Sequence, residues 1–455
     1  MPYIRDASAP AIPLQPVARD ELEAWLESAP TSHRAWAKAN GFKARPGKWC
    51  ALPGTDGAVQ AVVFGMQEEG WLYQLADLST GLPAGNYRLA ADWNARQRGQ
   101  AALGWGLAAY RFDRYRKHRE HGARLLLEDD IADGVDALLA AQYLVRDLVN
   151  TPCEDLGPEQ LAAAVASEAE QFGAKVQVLV GDELLSEGFP AVHAVGRAAT
   201  SAPRFISLRW GKPDHPLLAL AGKGVCFDSG GLDIKNATGM SLMKKDMGGA
   251  AHALALARLV MQHALPVSLL LVIPAVENAI SGNAYRPGDV VRTRKGLTIE
   301  IGNTDAEGRV VLADALAYAC EREPDLLIDF ATLTGAARIA MGPDLPPIFS
   351  NDPEPARGLL ATGEAVEDPL WELPLYAPYR KLIDSDIADI CNSGKSPYAG
   401  CITAALFLQE FVTPETPWVH VDTFAWNQSS RPGRPTGGEA LGLRAAWAYL
   451  QERYG

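Results

Sequence analysis

The sequence predicts an α/β protein whose larger, C-terminal domain is a mainly parallel, doubly wound sheet flanked by helices. Apolar strand patterns alternate with helical patterns over the C-terminal two thirds of the chain, and glycine-rich charged loops follow several of the strands. The composition, with 48% hydrophobic and 21% charged residues, is that of an ordinary globular protein. Such alternation favours a parallel sheet covered on both faces.

The length of 455 residues predicts more than one domain. Residues 1–130 carry several tryptophans and short mixed elements, and are expected to form a smaller α/β N-terminal domain. Apolar residues then recur at helical spacing until Asn150-Thr-Pro152 stops the helix, so residues 131–150 are expected to be a linking helix. Residues 151–455 are expected to form the second domain.

The elements of the larger domain follow from the apolar pattern of each segment. The predicted strands are 216–221, 267–275, 326–331 and 418–423. The predicted helices are 248–264, 309–322, 402–412 and 439–453. Sheets of this kind bind ligands beyond the carboxyl ends of their strands.

The formal net charge of -13 disfavours broad attraction to nucleic acid or anionic membranes, so small substrates or proteins are the expected partners. The basic and aromatic stretch at 110–119 is expected to be a solvated face. Without a signal-peptide or membrane-span pattern, the expected location is the cytoplasm. The six cysteines lack metal-site or disulfide spacing and are expected to be buried and reduced.

The loop after the first of these strands embeds charged side chains among small and apolar ones. These charged residues are Lys223, Asp228, Asp233 and Lys235. If they are buried, they must pair or bind a cation, because an isolated buried charge is costly. Asp246 lies in a second glycine-rich segment directly before a helix, where a helix N-cap is at least as good an interpretation as a site residue.

The segment Asn303–Arg309, Asn-Thr-Asp-Ala-Glu-Gly-Arg, has two interpretations. The spacing of Thr304 and Glu307 before an apolar run fits a helix capping box, with Arg309 as a surface partner. Alternatively, a doubly wound sheet would bring several strand-end carboxylates together. Those carboxylates are Asp228, Asp246, Asp305 and Glu307. Crowded like charges call for divalent cations, and oxygen ligands suit manganese, magnesium or zinc, so a two-metal hydrolytic site is expected.

On these segments the chain resembles the leucyl aminopeptidase (cytosol aminopeptidase) family of two-metal aminopeptidases. The resemblance covers nearly all of residues 146–425 and is most specific at 222–235, 240–251 and 303–309; the N-terminal region is similar only loosely, chiefly at 105–115. It implies an enzyme that removes the N-terminal residue, leucine or similar, from peptides with a free N-terminus. It also implies a homohexamer.

The resemblance implies that Lys223, Asp228, Asp246 and Glu307 hold the tighter metal ion. The looser ion would be held by Asp228, Asp305 and Glu307, so that Asp228 and Glu307 bridge. The two ions would be Mn²⁺ or Zn²⁺. Lys223 could coordinate only as the neutral amine, so the metal and burial are expected to lower its pKa.

The resemblance also assigns the remaining site residues. Lys235 would polarise the scissile carbonyl as an ammonium while a metal-bridging hydroxide attacks. Arg309 would bind a bicarbonate that carries the proton from the bridging water to the leaving amine. Met243, Thr332 and Gly335 would contact the side chain of the first residue, although Met243 equally suits core packing.

Two positions depart from the usual family pattern. Phe424 stands where the family commonly has a small residue, and it is expected to narrow or reshape the specificity pocket. Asp233 stands where relatives usually have an uncharged residue, and it alters the local charge balance. A preference for leucine is therefore not assured by the resemblance.

Two rival functions are weaker. The sequence Phe-Asp-Ser-Gly-Gly at 227–231 is similar to the nucleophile segment of trypsin-like serine proteases, but those enzymes are all-β and no histidine partner stands out here. A non-catalytic DNA-binding or scaffolding member of the family would need a basic stripe, for which 111–124 is the one local candidate. Because all of the expected metal ligands are present in the sequence, a non-catalytic member of the family is the weaker interpretation.

Overall fold

The computed structural model describes residues 2–117 and 122–455. It contains two compact units, Met1–Tyr143 with Ser429–Thr436, and Leu144–Gln428 with Gly437–Gly455. Both units combine helices with a sheet of mostly parallel strands, which confirms the predicted fold class. The domain limits at 130 and 150 stay a prediction, because the division into units falls inside one helix, Asp129–Asn150.

The smaller unit is built on a six-stranded sheet in the order β1-β6-β5-β2-β4-β3. Every neighbouring pair is parallel except β3 with β4. The strands are β1 Tyr3–Ile4, β2 Ile12–Val17, β3 Trp49–Pro53, β4 Val59–Gly65, β5 Gly85–Leu89 and β6 Ala123–Leu126. The helices are α1 Leu22–Ser28, α2 Thr31–Ala39, α3 Ala76–Gly81 and α4 Ala95–Ala109, and the division between the units falls inside α5 Asp129–Asn150.

The larger unit holds the remaining elements. Its strands are β7 Lys175–Val180, β8 Arg204–Gly211, β9 Leu217–Gly222, β10 Gly224–Asp228, β11 Ser268–Asn278, β12 Val290–Arg292, β13 Thr298–Glu300, β14 Leu326–Ala331, β15 Pro347–Ser350, β16 Trp371–Glu372, β17 Ile390–Cys391, β18 Trp418–Asp422, β19 Trp426–Asn427 and β20 Gly437–Gly438. Its α-helices are α6 Pro158–Phe172, α7 Glu183–Ser186, α8 Pro190–Gly196, α9 Ala237–Met240, α10 Gly248–Gln262, α11 Glu307–Cys320, α12 Gly335–Met341, α13 Pro353–Ala365, α14 Gly400–Gln409 and α15 Leu443–Tyr454. Two 3₁₀ turns lie at Met243–Met247 and Ala377–Ile383.

The main sheet of this unit has the order β16-β15-β18-β14-β9-β11-β8-β7, with β10 beside β11. Its centre, from β18 through β14 and β9 to β11, is parallel, whereas β15 and β8 run antiparallel to their central neighbours. The central strands β9 and β14 are almost entirely buried, as expected of strands covered on both faces.

Two glycines let helix α10 approach the central strands closely. A Cβ on Gly249 would lie 2.1 Å from the carbonyl oxygen of Phe330 in β14, and a Cβ on Gly222 would lie 2.6 Å from the Cα of Ala250. Any side chain at either position would push the helix away from the sheet. The residues that flank these contacts, Lys223 and Asp246, are thereby held close together.

All four predicted helices are present, but each has at least one end that differs from the structure. The last helix, expected from residue 439, begins at Leu443, because Gly442 adopts a left-handed conformation with φ of 82°. The helix expected from residue 309 already begins at Glu307. Among the described residues, no helix is both long and apolar enough to cross a membrane. Residues 118–121, which fall within the basic segment 111–124 and overlap the stretch at 110–119, lie outside the described residues.

Candidate active site

The five expected metal ligands lie together at the carboxyl ends of the central strands. Lys223 follows β9, Asp228 ends β10, and Asp246 lies in the 3₁₀ turn before α10; Asp305 and Glu307 lie just before and at the start of α11. They line one cavity of about 250 Å³. The other predicted site residues on its wall are Lys235, Met243, Thr332 and Gly335. Side chains from five separate segments thus converge, as the parallel topology predicts.

Three carboxylates form the centre of this site. Asp228, Asp305 and Glu307 each place an oxygen within 4.8 Å of the other two. The ammonium of Lys235 contacts Asp228 at 2.8 Å and also contacts Asp305. The ammonium of Lys223 lies 2.5 Å from Asp246 and 2.9 Å from Glu307. The cluster is therefore a compact mixture of acidic groups and cations.

Lys223 carries a hydrogen-bonded ammonium in this arrangement. Burial opposes its positive charge, but the carboxylates of Asp246 and Glu307 outweigh burial and raise the pKa of Lys223 above its usual value. Its Nζ also donates to the carbonyl oxygen of Thr332 at 3.0 Å. The pKa of Lys223 was expected to be lowered, because only the neutral amine can coordinate a metal, but here it is raised. Coordination by Lys223 therefore requires a cation that neutralises the carboxylates of Asp246 and Glu307.

Glu307 fits a cation at the centre of the cluster. Burial, followed by the nearby Asp228 carboxylate, raises the pKa of Glu307 to about 8. Burial and Asp228 likewise raise the pKa of Asp305. The Oε2 atom of Glu307 is buried and has no hydrogen-bond partner within the described residues. A buried carboxylate oxygen of this kind is satisfied by a divalent ion, so the donor set fits the expected metals.

Asp246 does not cap a helix, and that alternative is wrong. Helix α10 begins at Gly248, with Met247 in the capping position and no side-chain cap. The carboxylate of Asp246 instead points at Lys223 and accepts a hydrogen bond from the hydroxyl of Thr332 at 3.0 Å. Burial opposes its negative charge, but Lys223 and Lys245 outweigh burial and lower its pKa.

The capping box at Thr304 is also wrong. Helix α11 begins at Glu307 with Ala306 in the capping position and no side-chain cap. The hydroxyl of Thr304 donates to the carbonyl oxygen of Gly230 at 2.6 Å and accepts from the backbone N–H of Asp233 at 2.8 Å. Thr304 therefore joins two loops of the site instead of starting the helix.

Sequence reasoning missed three residues that orient the ligands. The amide of Asn278 donates to Asp228 at 2.9 Å and to the carbonyl oxygen of Thr304 at 3.0 Å. The hydroxyl of Tyr285 donates to the same carbonyl at 2.6 Å. Asn392 accepts from the N–H of Gly302 at 2.8 Å. Of these three residues, only Asn278 could have been recognised from the sequence, because it is a polar residue at the end of an apolar strand.

Arg309 is buried, so its interpretation as a surface partner is wrong. Its side chain donates to the carbonyl oxygen of Asn392 at 2.9 Å, and its Nε is buried without a partner within the described residues. Burial lowers the pKa of Arg309 to about 10, against the opposing effect of Glu307 and Asp422. A guanidinium with an unused buried donor has the chemistry to bind an anion.

Phe424 also lines the cavity, and two cations lie close to its ring. The guanidinium carbon of Arg338 lies 4.6 Å from the centre of the Phe424 ring, and the ammonium of Lys245 lies 5.2 Å from it. All three line the cavity, together with Met243 and Thr332. Phe424 was expected to reshape this pocket, whereas the two cations were missed.

The serine-protease alternative finds no support in the geometry. The Ser229 hydroxyl donates to the carbonyl oxygen of Asn278 at 2.6 Å. His252 is buried in α10, where its ring contacts the carbonyl oxygen of Gly248 at 2.7 Å and accepts from the N–H of Leu441 at 3.0 Å. His420 pairs with Asp329 inside the sheet.

Comparison with known proteins gives the family. The catalytic domain of the cytosol aminopeptidase family (peptidase M17) matches residues 143–446, and the M17 N-terminal domain matches residues 12–128. The chain is 45% identical to the probable cytosol aminopeptidase of Syntrophotalea carbinolica over 365 residues, covering 76% of this chain and 73% of that one. It is 43% identical to that of Caulobacter vibrioides over 386 residues, covering 81% and 77%.

Two solved structures are similar over nearly the whole chain. The crystal structure of the cytosol aminopeptidase of Coxiella burnetii is 50% identical, with a TM-score of 0.98 over 100% of this chain and 99% of that one. The bottromycin maturation enzyme BotP in complex with Mn is 33% identical, with a TM-score of 0.87 over 98% and 100%. The chain therefore belongs to the cytosol aminopeptidase family of metal-dependent peptidases.

Proposed function

We propose that this aminopeptidase hydrolyses the first peptide bond of peptides through a two-metal site. The observation that carries the proposal is the cluster of Asp228, Asp305 and Glu307, each of which has a carboxylate oxygen within 4.8 Å of the other two. The Oε2 atom of Glu307 is in addition buried without a hydrogen-bond partner among the described residues. Such a cluster is costly unless cations compensate it.

The tighter ion would be held by Lys223, Asp228, Asp246 and Glu307. The looser ion would be held by Asp228, Asp305 and Glu307. Asp228 and Glu307 would be shared by the two ions, which agrees with the oxygens of these two carboxylates lying within 4.8 Å of each other and of Asp305. Divalent cations bound there would supply a nucleophile at neutral pH and a Lewis acid for the scissile carbonyl.

Lys235 would polarise the scissile carbonyl. Its half-buried ammonium reaches into the cavity and contacts Asp228 and Asp305. Burial opposes the charge of Lys235, but these two carboxylates outweigh burial and raise its pKa above the usual value. The residue thus remains a cation at neutral pH, as stabilisation of a developing oxyanion requires.

Arg309 would hold a bicarbonate that carries the proton to the leaving amine. Its side chain is fixed by Asn392, and the unpartnered Nε leaves a donor for an anion. A guanidinium cannot exchange protons itself near neutral pH, so an anion bound to it is a reasonable acid–base group.

The proposal extends to the identity of the metal, the assembly and the location. Mn²⁺ or Zn²⁺ suits the donor set, and the similar BotP is described as a complex with Mn. A homohexamer is carried over from the family resemblance. The cytoplasmic location is the expectation from the sequence pattern, and the name "cytosol aminopeptidase" borne by the relatives agrees with it.

Metal analysis of the purified chain, joined to rates on a panel of aminoacyl amides with added Mn²⁺, Zn²⁺ or Co²⁺, tests the proposal. We expect two metal ions per chain, loss of activity with chelators and resistance to fluorophosphonates. Glu307→Ala should stay folded with very low activity, whereas Glu364→Ala, an exposed carboxylate on α13, should match the unmodified enzyme. Near-normal turnover by Glu307→Ala would contradict the metal assignment.

A further inference from the structure

The wall of the cavity beyond the carboxylate cluster is positively charged. Lys245 and Arg338 lie against the ring of Phe424, with their charged groups 5.2 Å and 4.6 Å from its centre. An aromatic ring holds cations in place without neutralising them. Both cations line the cavity that also contains the proposed metal ligands.

The carboxylates near these cations are already engaged. Within the described part of the chain, Asp246 supplies the one carboxylate within 4.0 Å of the Lys245 ammonium, at 3.7 Å. That same carboxylate lies 2.5 Å from Lys223 and is a proposed metal ligand. Lys245 is only 5% exposed, so water does little to screen its charge.

Asp422 also lines the cavity and its charge acts on Lys245, but its carboxylate oxygens accept hydrogen bonds from the segment after β14. Its Oδ1 accepts from the backbone N–H groups of Leu333 and Thr334, at 3.0 and 3.2 Å, and its Oδ2 accepts from the Thr334 hydroxyl at 2.6 Å. No carboxylate of the described residues lies within 4.0 Å of the Arg338 guanidinium. The wall therefore presents two positive charges that a bound anion would complement.

We propose that Lys245 and Arg338 form a subsite for a carboxylate of the substrate, so that the enzyme favours peptides whose first residue is aspartate or glutamate. This inference rests on the proposed aminopeptidase function. The first side chain is favoured as the source of the carboxylate because Met243 and Thr332, which the family resemblance assigns to that side chain, line the same cavity. The C-terminal carboxylate of a dipeptide is the other source with this chemistry.

Phe424 is a positioning residue in this subsite. Its residue is 9% exposed and its ring lies close to both cations, so it restricts where the flexible guanidinium and ammonium can point. An apolar first residue would leave the buried ammonium of Lys245 without an anionic partner from the substrate, which is costly. The subsite therefore selects against leucine as well as for an acidic side chain.

The decisive comparison uses glutamyl and glutaminyl p-nitroanilides, which are nearly equal in shape and differ in charge. We expect kcat/KM of the metal-loaded enzyme to be about 10- to 100-fold higher for the glutamyl substrate, as for a charge-assisted hydrogen bond. Arg338→Gln and Lys245→Met should each lower that ratio about tenfold or more. The exposed Arg357→Gln on α13 is the matched control and should keep the ratio.

A second comparison, Leu-Ala against Leu-Ala-amide, identifies the source of the carboxylate. If Arg338→Gln changes the kcat/KM ratio of Leu-Ala to Leu-Ala-amide but not that of the glutamyl to the glutaminyl substrate, the subsite binds the C-terminal carboxylate of the dipeptide and not an acidic first side chain. Arg338 is exposed on helix α12, so its variant should fold even if Lys245→Met does not. If the kcat/KM ratio is near one for both substrate pairs and does not change in Arg338→Gln, the carboxylate subsite is overturned while the peptidase function stays intact.

Calorimetric binding of free glutamate and glutamine to the metal-loaded protein gives a readout that does not need turnover. The glutamate Kd should be lower by about tenfold or more, and Arg338→Gln should remove the difference. Equal Kd values would count against the subsite. Absence of turnover on every substrate, with the glutamate preference retained, would refute the proposed activity but not the carboxylate subsite.

Discussion

Asp233 and Thr304 are joined by reciprocal hydrogen bonds between two loops of the site. The Asp233 carboxylate accepts from the backbone N–H of Thr304 at 2.8 Å, and the Thr304 hydroxyl accepts from the backbone N–H of Asp233 at 2.8 Å. The same hydroxyl donates to Gly230. These bonds fix the loop that directly follows Asp228, the last residue of β10, to the loop before α11, which carries Asp305. Asp233 therefore connects two loops of the site, in addition to changing the local charge balance.

Replacing Thr304 with valine should weaken both the fold and metal binding. The valine keeps the volume but leaves a buried carbonyl and N–H without their partner, which should lower the free energy of unfolding by about 1–3 kcal/mol. Because the two ligand-bearing loops lose their connection, Mn²⁺ affinity should fall about 10- to 100-fold. Urea denaturation and calorimetric titration with Mn²⁺ measure the two effects.

Thr403→Val is the matched control for this change. Thr403 is also buried, but its hydroxyl donates to the Gly400 carbonyl within its own helix. The control should leave Mn²⁺ affinity unchanged. If Thr304→Val bound Mn²⁺ as tightly as the unmodified chain, the loop connection would have no part in placing the ligands.

Lys235→Met should separate catalysis from metal binding. The change removes an ammonium that lies against Asp228 and Asp305, so the carboxylates keep their affinity for cations. Without the group proposed to stabilise the oxyanion, kcat should fall about 10²- to 10³-fold. Metal content and kcat are measured on the same preparation of Lys235→Met, and the same measurements on Glu307→Gln, which changes a proposed metal ligand, serve for comparison. Loss of both metal and activity in Lys235→Met would show that Lys235 mainly holds the site together.

Arg309→Met should abolish the response of the enzyme to bicarbonate. The unpartnered Nε of Arg309 is the donor left for an anion, and methionine fills the space without any donor. We expect the rate of the unmodified enzyme to rise when bicarbonate is added to CO₂-depleted buffer, and the rate of the variant to stay flat and low. Arg309→Lys keeps the charge but loses the planar fork, so it should recover only part of the response. If the rate of the unmodified enzyme does not change when bicarbonate is added, Arg309 does not hold a bicarbonate that takes part in the reaction.

The sequence predicted the elements of the larger unit where the apolar signal was local. Strand β14 has the bounds expected from its apolar run, and the charged loops after β9 and β10 were recognised because burial of so many charges needs compensation. Parallel topology then required their ends to meet. The convergence of Asp228 and Glu307 was therefore predictable before any distance was known.

The errors came from contacts that only the folded chain creates. Thr304 has the spacing of a helix cap, but its partners lie in a loop more than 70 residues away in sequence, and that tertiary contact prevailed over the local signal. Lys245 and Arg338 belong to different segments and share a wall only through the Phe424 ring. Neither residue has a pattern around it that predicts a site.

The buried pair of His420 and Asp329 should make the stability of the larger unit depend on pH. The two residues are opposite each other on neighbouring strands β18 and β14, both fully buried, with the His420 ring nitrogen 2.7 Å from the Asp329 carboxylate. Burial opposes a charge on His420, but Asp329 outweighs burial and raises the pKa of His420 above its usual value. Asp329 also accepts from the Trp418 indole at 2.7 Å, which fixes its orientation.

Because the folded pKa of His420 lies above the unfolded value of about 6.5, protonation favours the folded state. This contribution is fully present below about pH 6.5 and is lost as the pH rises through the folded pKa. His420→Gln should therefore cost more stability at pH 6 than at pH 9, as measured by urea denaturation at several pH values. Asp329→Asn should remove the same pH dependence, since it takes away the group that raises the pKa. A cost of His420→Gln that is constant from pH 6 to 9 would mean that the imidazole stays neutral, because its stabilising effect would then be hydrogen bonding and packing alone.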